Sequence, residues 1–156
     1  MARRNISKKR FPTADPVYES YLVSLFVARI LKKGKKSLAQ RIVNDVFTII
    51  KIKTNLEPLS IFEEAVKNVI PKIEVKSTRV AGSTYQVPSK ISVFRGTDLA
   101  LKWIIKGAKT RSGKHLITKL ANEIIDASNM TGNAIRKREE THRMAKSNRT
   151  SAHLKY

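Results

Sequence analysis

Lys32, Lys33, Lys35 and Lys36 place four ammonium groups on five positions around Gly34. Lysine keeps its charge at neutral pH, so such a run attracts anions rather than moving protons. A solvated turn needs no partner for it, but charge this dense points to phosphate oxygens. A second basic run, Gly107-Ala-Lys-Thr-Arg-Ser-Gly-Lys114, has the glycines and terminal lysine of a nucleotide-binding loop. It fails as one. Five residues separate the glycines instead of four, His115 stands where Ser or Thr would hold magnesium, and no strand precedes it. A helix–helix loop whose cations meet phosphates of another kind is the better reading. His115, His142 and His153 are far apart and lack carboxylates in ligand spacing, so no metal signature results. Glu63-Glu64 and Glu139-Glu140 are sequence neighbours, which point in different directions on a helix and make poor acid–base pairs. Ser, His and Asp are present, but nothing assembles them into a nucleophilic set. The expectation is therefore no enzyme, no catalytic residue, no metal and no cofactor. Tyr85, Phe94 and Trp103 are candidates for stacking on unpaired bases. Core packing is the favoured alternative for Trp103.

These residues belong to a chain with 32 Lys and Arg against 12 Asp and Glu, a net charge of +20 on 156 residues. From Leu99 to Asn122 there is no acid, while Lys102, Lys106, Lys109, Arg111, Lys114 and Lys119 all fall there. A folded domain with this much self-repulsion calls for a polyanion, and nucleic acid is the default because each neutralised phosphate releases counterions. Solubility alone asks for far less charge. Hydrophobic residues are 41% of the chain, too many for a wholly disordered basic protein. The length suits one domain with a sizeable core. The absence of cysteine removes disulfides, thiolate zinc and thiol catalysis, and it suits a reducing compartment. Met1–Arg10 carries charge with no apolar stretch behind it, so no signal peptide is expected. Tyr21–Leu31, the most apolar stretch, contains Ser24 and Arg29 and falls far short of the roughly 20 residues that span a bilayer. Basic residues lie on many segments, whereas a membrane-surface anchor would gather them on one amphipathic helix.

The elements that must position these charges are mainly helical. Met1–Ala14 has Arg3, Arg4, Lys8, Lys9 and Arg10 with no acid, and reads as a mobile arm that orders on a partner. A first helix is predicted over Tyr18–Lys33 from Leu22, Leu25, Phe26 and Ile30, stopped by Gly34. Ser37-Leu-Ala-Gln40 reads as a capping box opening a second helix, with Leu38, Ile42, Val46 and Ile49 as its stripe, widened by Val43 and Ile50. A third helix starts near Pro58, uses Leu59, Phe62, Val66 and Val69, and ends at Pro71. Ile73, Val75, Tyr85 and Val87 then alternate on either side of Ala81-Gly82, as in a β-hairpin whose second arm Pro88 closes. Two strands are marginal alone, so the hairpin should project and rest on something. A fourth helix follows Gly96, capped by Thr97 or Asp98, with Leu101, Ile104, Ile105 and Ala108 inside. A fifth presents Ile117, Leu120, Ala121, Ile124 and Ile125. After Gly132 a charged last helix runs to about Asn148, with Arg136–Glu140 and Glu139–Arg143 in pairing range.

Several strings taken together resemble a known family. They are Glu57-Pro-Leu with Phe62-Glu-x-Ala65, Pro71-x-x-Glu-Val-Lys-Ser-x-Arg-Val-Ala-Gly82, Tyr85-Gln-Val-Pro88, Leu99-Ala-x-Lys-Trp103, and Arg136-Lys-Arg-Glu-Glu-Thr-His-Arg-Met-Ala145 before Asn148-Arg149. Their order and spacing are similar to small-subunit ribosomal protein seven of the bacterial and plastid type, over nearly the whole chain. The resemblance implies a mainly α, six-helix domain with a protruding β-hairpin between helices three and four and a basic N-terminal arm. It implies one rRNA-binding domain over residues 1–156, with the arm at 1–14, the hairpin at 72–90 and a basic C-terminal helix and tail at 133–156. It further implies a primary binder of small-subunit rRNA that nucleates the head (the 3′ major domain), near exit-site (E-site) tRNA and the mRNA exit path. Neighbouring proteins of head and platform would be its other partners, in a plastid stroma or a bacterial cytoplasm, with no membrane. The RNA contacts carried over are Arg3, Arg4, Arg10, Lys35, Lys36, Lys76, Arg79, Arg95, Lys102, Arg111, Lys114, Arg143 and Arg149. Arg79, Gly82 and Tyr85 would face tRNA and mRNA. Ala81 replaces the first glycine of the family's Gly-Gly tip, and Ile91–Gly96 lacks the denser arginines usual before helix four. The runner-up reading is an architectural DNA-binding protein, against which stand the single basic hairpin and the lack of a dimer seam.

Overall fold

A computed structural model describes residues 12–80 and 82–149. Six helices and one hairpin follow in chain order: α1 (Tyr21–Ile30), α2 (Lys36–Thr54), α3 (Pro58–Val69), β1 (Ile73–Val80), β2 (Ser83–Lys90), α4 (Val93–Thr110), α5 (Leu116–Ser128) and α6 (Gly132–Ser147). The strands pair antiparallel from Ile73↔Lys90 to Val80↔Ser83, so the hairpin lies between the third and fourth helices as expected. Arg3, Arg4 and Arg10 of the basic arm lie outside the described residues, as do Ala81, His153 and Lys155. No helix among the described residues is long and apolar enough to cross a membrane.

The core is helical. Phe26 of α1, Phe47 of α2 and Phe62 of α3 form a ring cluster, with centroids 4.9 and 5.5 Å apart, and Tyr18 meets Phe47 edge-on at 4.8 Å. Helix α5 passes through the middle and packs on α2, α3, α4 and α6. Its Leu120, Ala121, Ile124 and Ala127 are fully buried. Burying side chains of this kind contributes about 1.5–3 kcal/mol for each large aliphatic or aromatic group. The hairpin joins this body at one side. Both strands pack on α6, and Val87 and Ala145 are buried outside the main core.

Several element boundaries differ from the sequence reading, each for a local reason. Helix α1 starts at Tyr21, not Tyr18, because the Asp15 carboxylate accepts the N–H groups of Val17 and Tyr18 and Glu19 is left-handed at φ 49°. It ends at Ile30, before a turn in which Lys33 and Gly34 both have positive φ. The capping box does not form. Helix α2 opens two residues earlier with Lys35 as its cap, so Ser37 already lies in the first turn. Its buried stripe is Ala39, Val43, Val46, Phe47 and Ile50, and Leu38 is exposed. Helix α4 starts at Val93 after Ser92, and Gly96 is inside its first turn. A Cβ on Gly96 would stand 3.0 Å from Ile70 Cγ2, so the glycine lets α4 start against the end of α3. Pro88 lies within β2 opposite Val75 rather than closing the arm. On α6 the ion pairs are Lys137–Glu140 and Arg138–Glu139, not the two expected i,i+4 pairs.

Candidate nucleic-acid interface

Three polar contacts tie the hairpin and its base to α4, α6 and the residue that caps α6. Glu74 of β1, with 12% of its side chain exposed, bridges Lys76 at 3.1 Å and Arg95 of α4 at 3.3 Å. Burial pushes the Glu74 carboxyl up, but hydrogen bonds from Lys76 and Arg95 outweigh it and hold the group below the usual range. The Lys72 N–H donates to His142 Nε2 of α6 at 3.1 Å. Burial, with Arg138 and Lys72 adding to it, lowers the His142 pKa and favours the neutral ring that this bond needs. Asn148 Nδ2 donates to Gln86 Oε1 of β2 at 3.3 Å.

Across this region Lys76, Arg79, Arg95, Lys102, Arg143 and Arg149 are all exposed. Arg79 pairs with Thr84 next to the hairpin tip. Gly82 adopts φ +87°, a conformation that side chains resist, with open space around it. Tyr85 is 40% exposed opposite Thr78, and Phe94 is half exposed at the start of α4. Along α6 a trough of about 590 Å³ is lined by Asn133, Arg136, Lys137, Glu139, Glu140 and Arg143. Lys137 hydrogen-bonds Glu140, and with Arg143 and Lys106 it holds that carboxyl below its ordinary value.

A separate cluster lies where α1 meets α2. Lys32, Lys33, Lys35 and Lys36 are exposed there. Arg29, Lys32, Lys33, Lys35 and Lys109 rim a pocket of about 290 Å³ whose floor includes Ile30, Ile42 and Ile105. Lys114 is exposed in the loop between α4 and α5.

Arg111 stands apart from the other sequence candidates. Its guanidinium donates from Nε to Glu123 and from Nη2 to Asp126, two carboxylates of α5. Burial works against its charge, but the hydrogen bonds to Asp126 and Glu123 prevail and raise its pKa. Glu123 is fully buried and also accepts the Ala134 N–H at 2.8 Å, which joins α6 to the same knot. Sequence reasoning missed Glu123, although it left a signal: a lone carboxylate on the stripe of Leu120, Ile124 and Ala127. It also missed Arg138, which donates to the Asn68 carbonyl of α3. Nothing local in the sequence marks that contact, whose partners lie 70 residues apart.

The model for ribosomal protein S7p/S5e matches residues 2–149. The small ribosomal subunit protein uS7c of Trieres chinensis is 60% identical over 144 residues, 92% of this chain and 91% of that protein. The uS7 proteins of Acaryochloris marina and Gloeothece citriformis are 53% and 51% identical, each over the full length of both chains. With both the fold and the basic surface in place, the match covers the hairpin, the charged last helix and the core alike. The chain belongs to the ribosomal protein S7p/S5e family, structural and non-enzymatic constituents of the small ribosomal subunit.

Proposed function

We propose that this chain is a primary binder of small-subunit rRNA and nucleates folding of the 3′ major domain, which becomes the head. In this reading, rRNA lies across the hairpin, α4 and α6 and reaches the lysine loop between α1 and α2. The hairpin tip at Arg79, Gly82 and Tyr85 faces E-site tRNA and the mRNA exit path. The observation that carries the reading is that α6 packs on both α4 and the hairpin, so cations far apart in sequence become one surface. Arg111 contributes by holding the end of α4 against α5, since two carboxylates already engage its charge.

The test is competition at fixed salt between a 3′ major-domain rRNA fragment, an unrelated rRNA fragment of equal length, and duplex DNA. Preference for the head fragment is expected. Equal affinity for duplex DNA would favour the architectural DNA-binding alternative. The tRNA and mRNA placement is tested separately by deleting Thr78–Thr84 and closing the gap with a short turn. Subunits should assemble but retain exit-site tRNA less well. Loss of rRNA binding as the primary defect would make the hairpin an rRNA anchor instead.

A further inference from the structure

Trp103, the chain's single tryptophan, is neither a simple core residue nor a free surface ring. It is partly buried and packs against the helical core. It also lines a cleft of about 180 Å³ between α4 and α6, together with Lys106, Gly107, Thr110, Asn133 and Lys137. Among the described residues no carboxylate lines that cleft, although Lys137 also pairs with Glu140 at the surface. A Cβ on Gly107 would stand 2.7 Å from Glu123 Oε1, so buried Glu123 keeps the cleft floor as bare backbone. The Asn133 amide nitrogen is fixed by the Gly107 carbonyl and the Thr110 hydroxyl, both at 3.4 Å, which leaves Oδ1 as an acceptor. Asn133 and Lys137 also line the larger basic trough, so the cleft opens onto the path of a bound strand.

We propose that this cleft takes one unpaired nucleobase of the bound RNA, stacked on the indole of Trp103, with Lys106 and Lys137 on the flanking phosphates. Every base offers a π-face to an aromatic ring, and two flanking ammonium groups neutralise the strand that delivers it. Asn133 Oδ1 is placed to accept from an exocyclic amino group. The proposal deepens the RNA-binding reading above and rests on it.

The sole tryptophan provides the assay, because intrinsic fluorescence reports this one position. The full chain is titrated with the 3′ major-domain rRNA fragment while binding is followed independently by filter retention. Quenching of emission, and protection from acrylamide, are expected in step with binding. Trp103→Phe should keep affinity within a few-fold, whereas Trp103→Leu should lose on the order of 5- to 150-fold, the range for one base–aromatic stack. Circular dichroism and thermal unfolding check that both variants fold, and the wild-type titration stands even if one does not. RNA bound to saturation with unchanged emission, or Trp103→Leu binding like wild type, would overturn the nucleobase pocket and leave the RNA-binding reading intact. Absence of any preference of the wild-type chain for this rRNA would overturn both.

Discussion

At the scale of single residues, the knot around Glu123 combines ionic and steric constraints. A buried carboxylate is tolerated when its charge is paired and its oxygens are hydrogen-bonded, and here Arg111 engages one oxygen and the Ala134 N–H the other. Gly107→Ala should destabilise the protein by about 1–3 kcal/mol, because the added methyl meets a carboxylate that cannot retreat. Urea unfolding measures it, and an unchanged midpoint would mean that the knot shifts easily. Glu123→Gln should cost about 1–3 kcal/mol by removing the charge that Arg111 needs. The stripe around Leu120 and Ile124 was legible from spacing, but the reason Gly107 must be glycine was not, since its neighbour Glu123 comes from another helix. Trp103 was legible only as a choice between core and ring stacking, and its position touches both.

At the scale of elements, the hairpin depends on α6, and His142 makes that dependence pH-sensitive. The ring accepts the Lys72 N–H only when neutral, and its folded pKa lies below the ordinary value of 6.5. Below 6.5 the unfolded chain takes up a proton that the folded chain resists. This contribution is therefore complete above that pH and is lost as pH falls from 6.5 toward the folded value. Thermal midpoints between pH 7.5 and about 5 should fall more steeply for the wild type than for His142→Asn. Parallel curves would show that the bond contributes little. Helix existence and the hairpin were legible in apolar periodicity and in Ala81-Gly82. Helix starts were not. Ser37 reads as a cap by its spacing to Gln40, but the turn at Lys33 and Gly34 hands the role to Lys35.

At the scale of the molecule, charge is partitioned between cations that hold the fold and cations left for the partner. The acids that divide them, Glu74, Asp98, Glu123 and Asp126, engage arginines from outside their own elements, so the sequence shows the excess but not its allocation. Lys35→Ala with Lys36→Ala should weaken RNA binding and reduce the log–log salt slope by roughly 0.7–0.9 per lost contact, leaving stability nearly unchanged. Arg111→Ala should do the reverse, lowering the unfolding midpoint with little effect on the slope. Filter binding across a salt series separates the two, and a slope insensitive to the lysine pair would mark their loop as solvent-facing only.

The hairpin's support has a consequence in time. Residues 73–90 leave the synthesising ribosome before α6, which begins roughly 40 residues later, and at about 5–20 residues per second that gap lasts several seconds. During it, a two-stranded ribbon that is marginal alone has no surface to lie on. The hairpin is thus an early-made part that matures last, when the C-terminal helix arrives to cover Val87. A nascent chain stopped before Gly132 should expose the amides of 73–90 to rapid exchange while α1 to α3 are already protected.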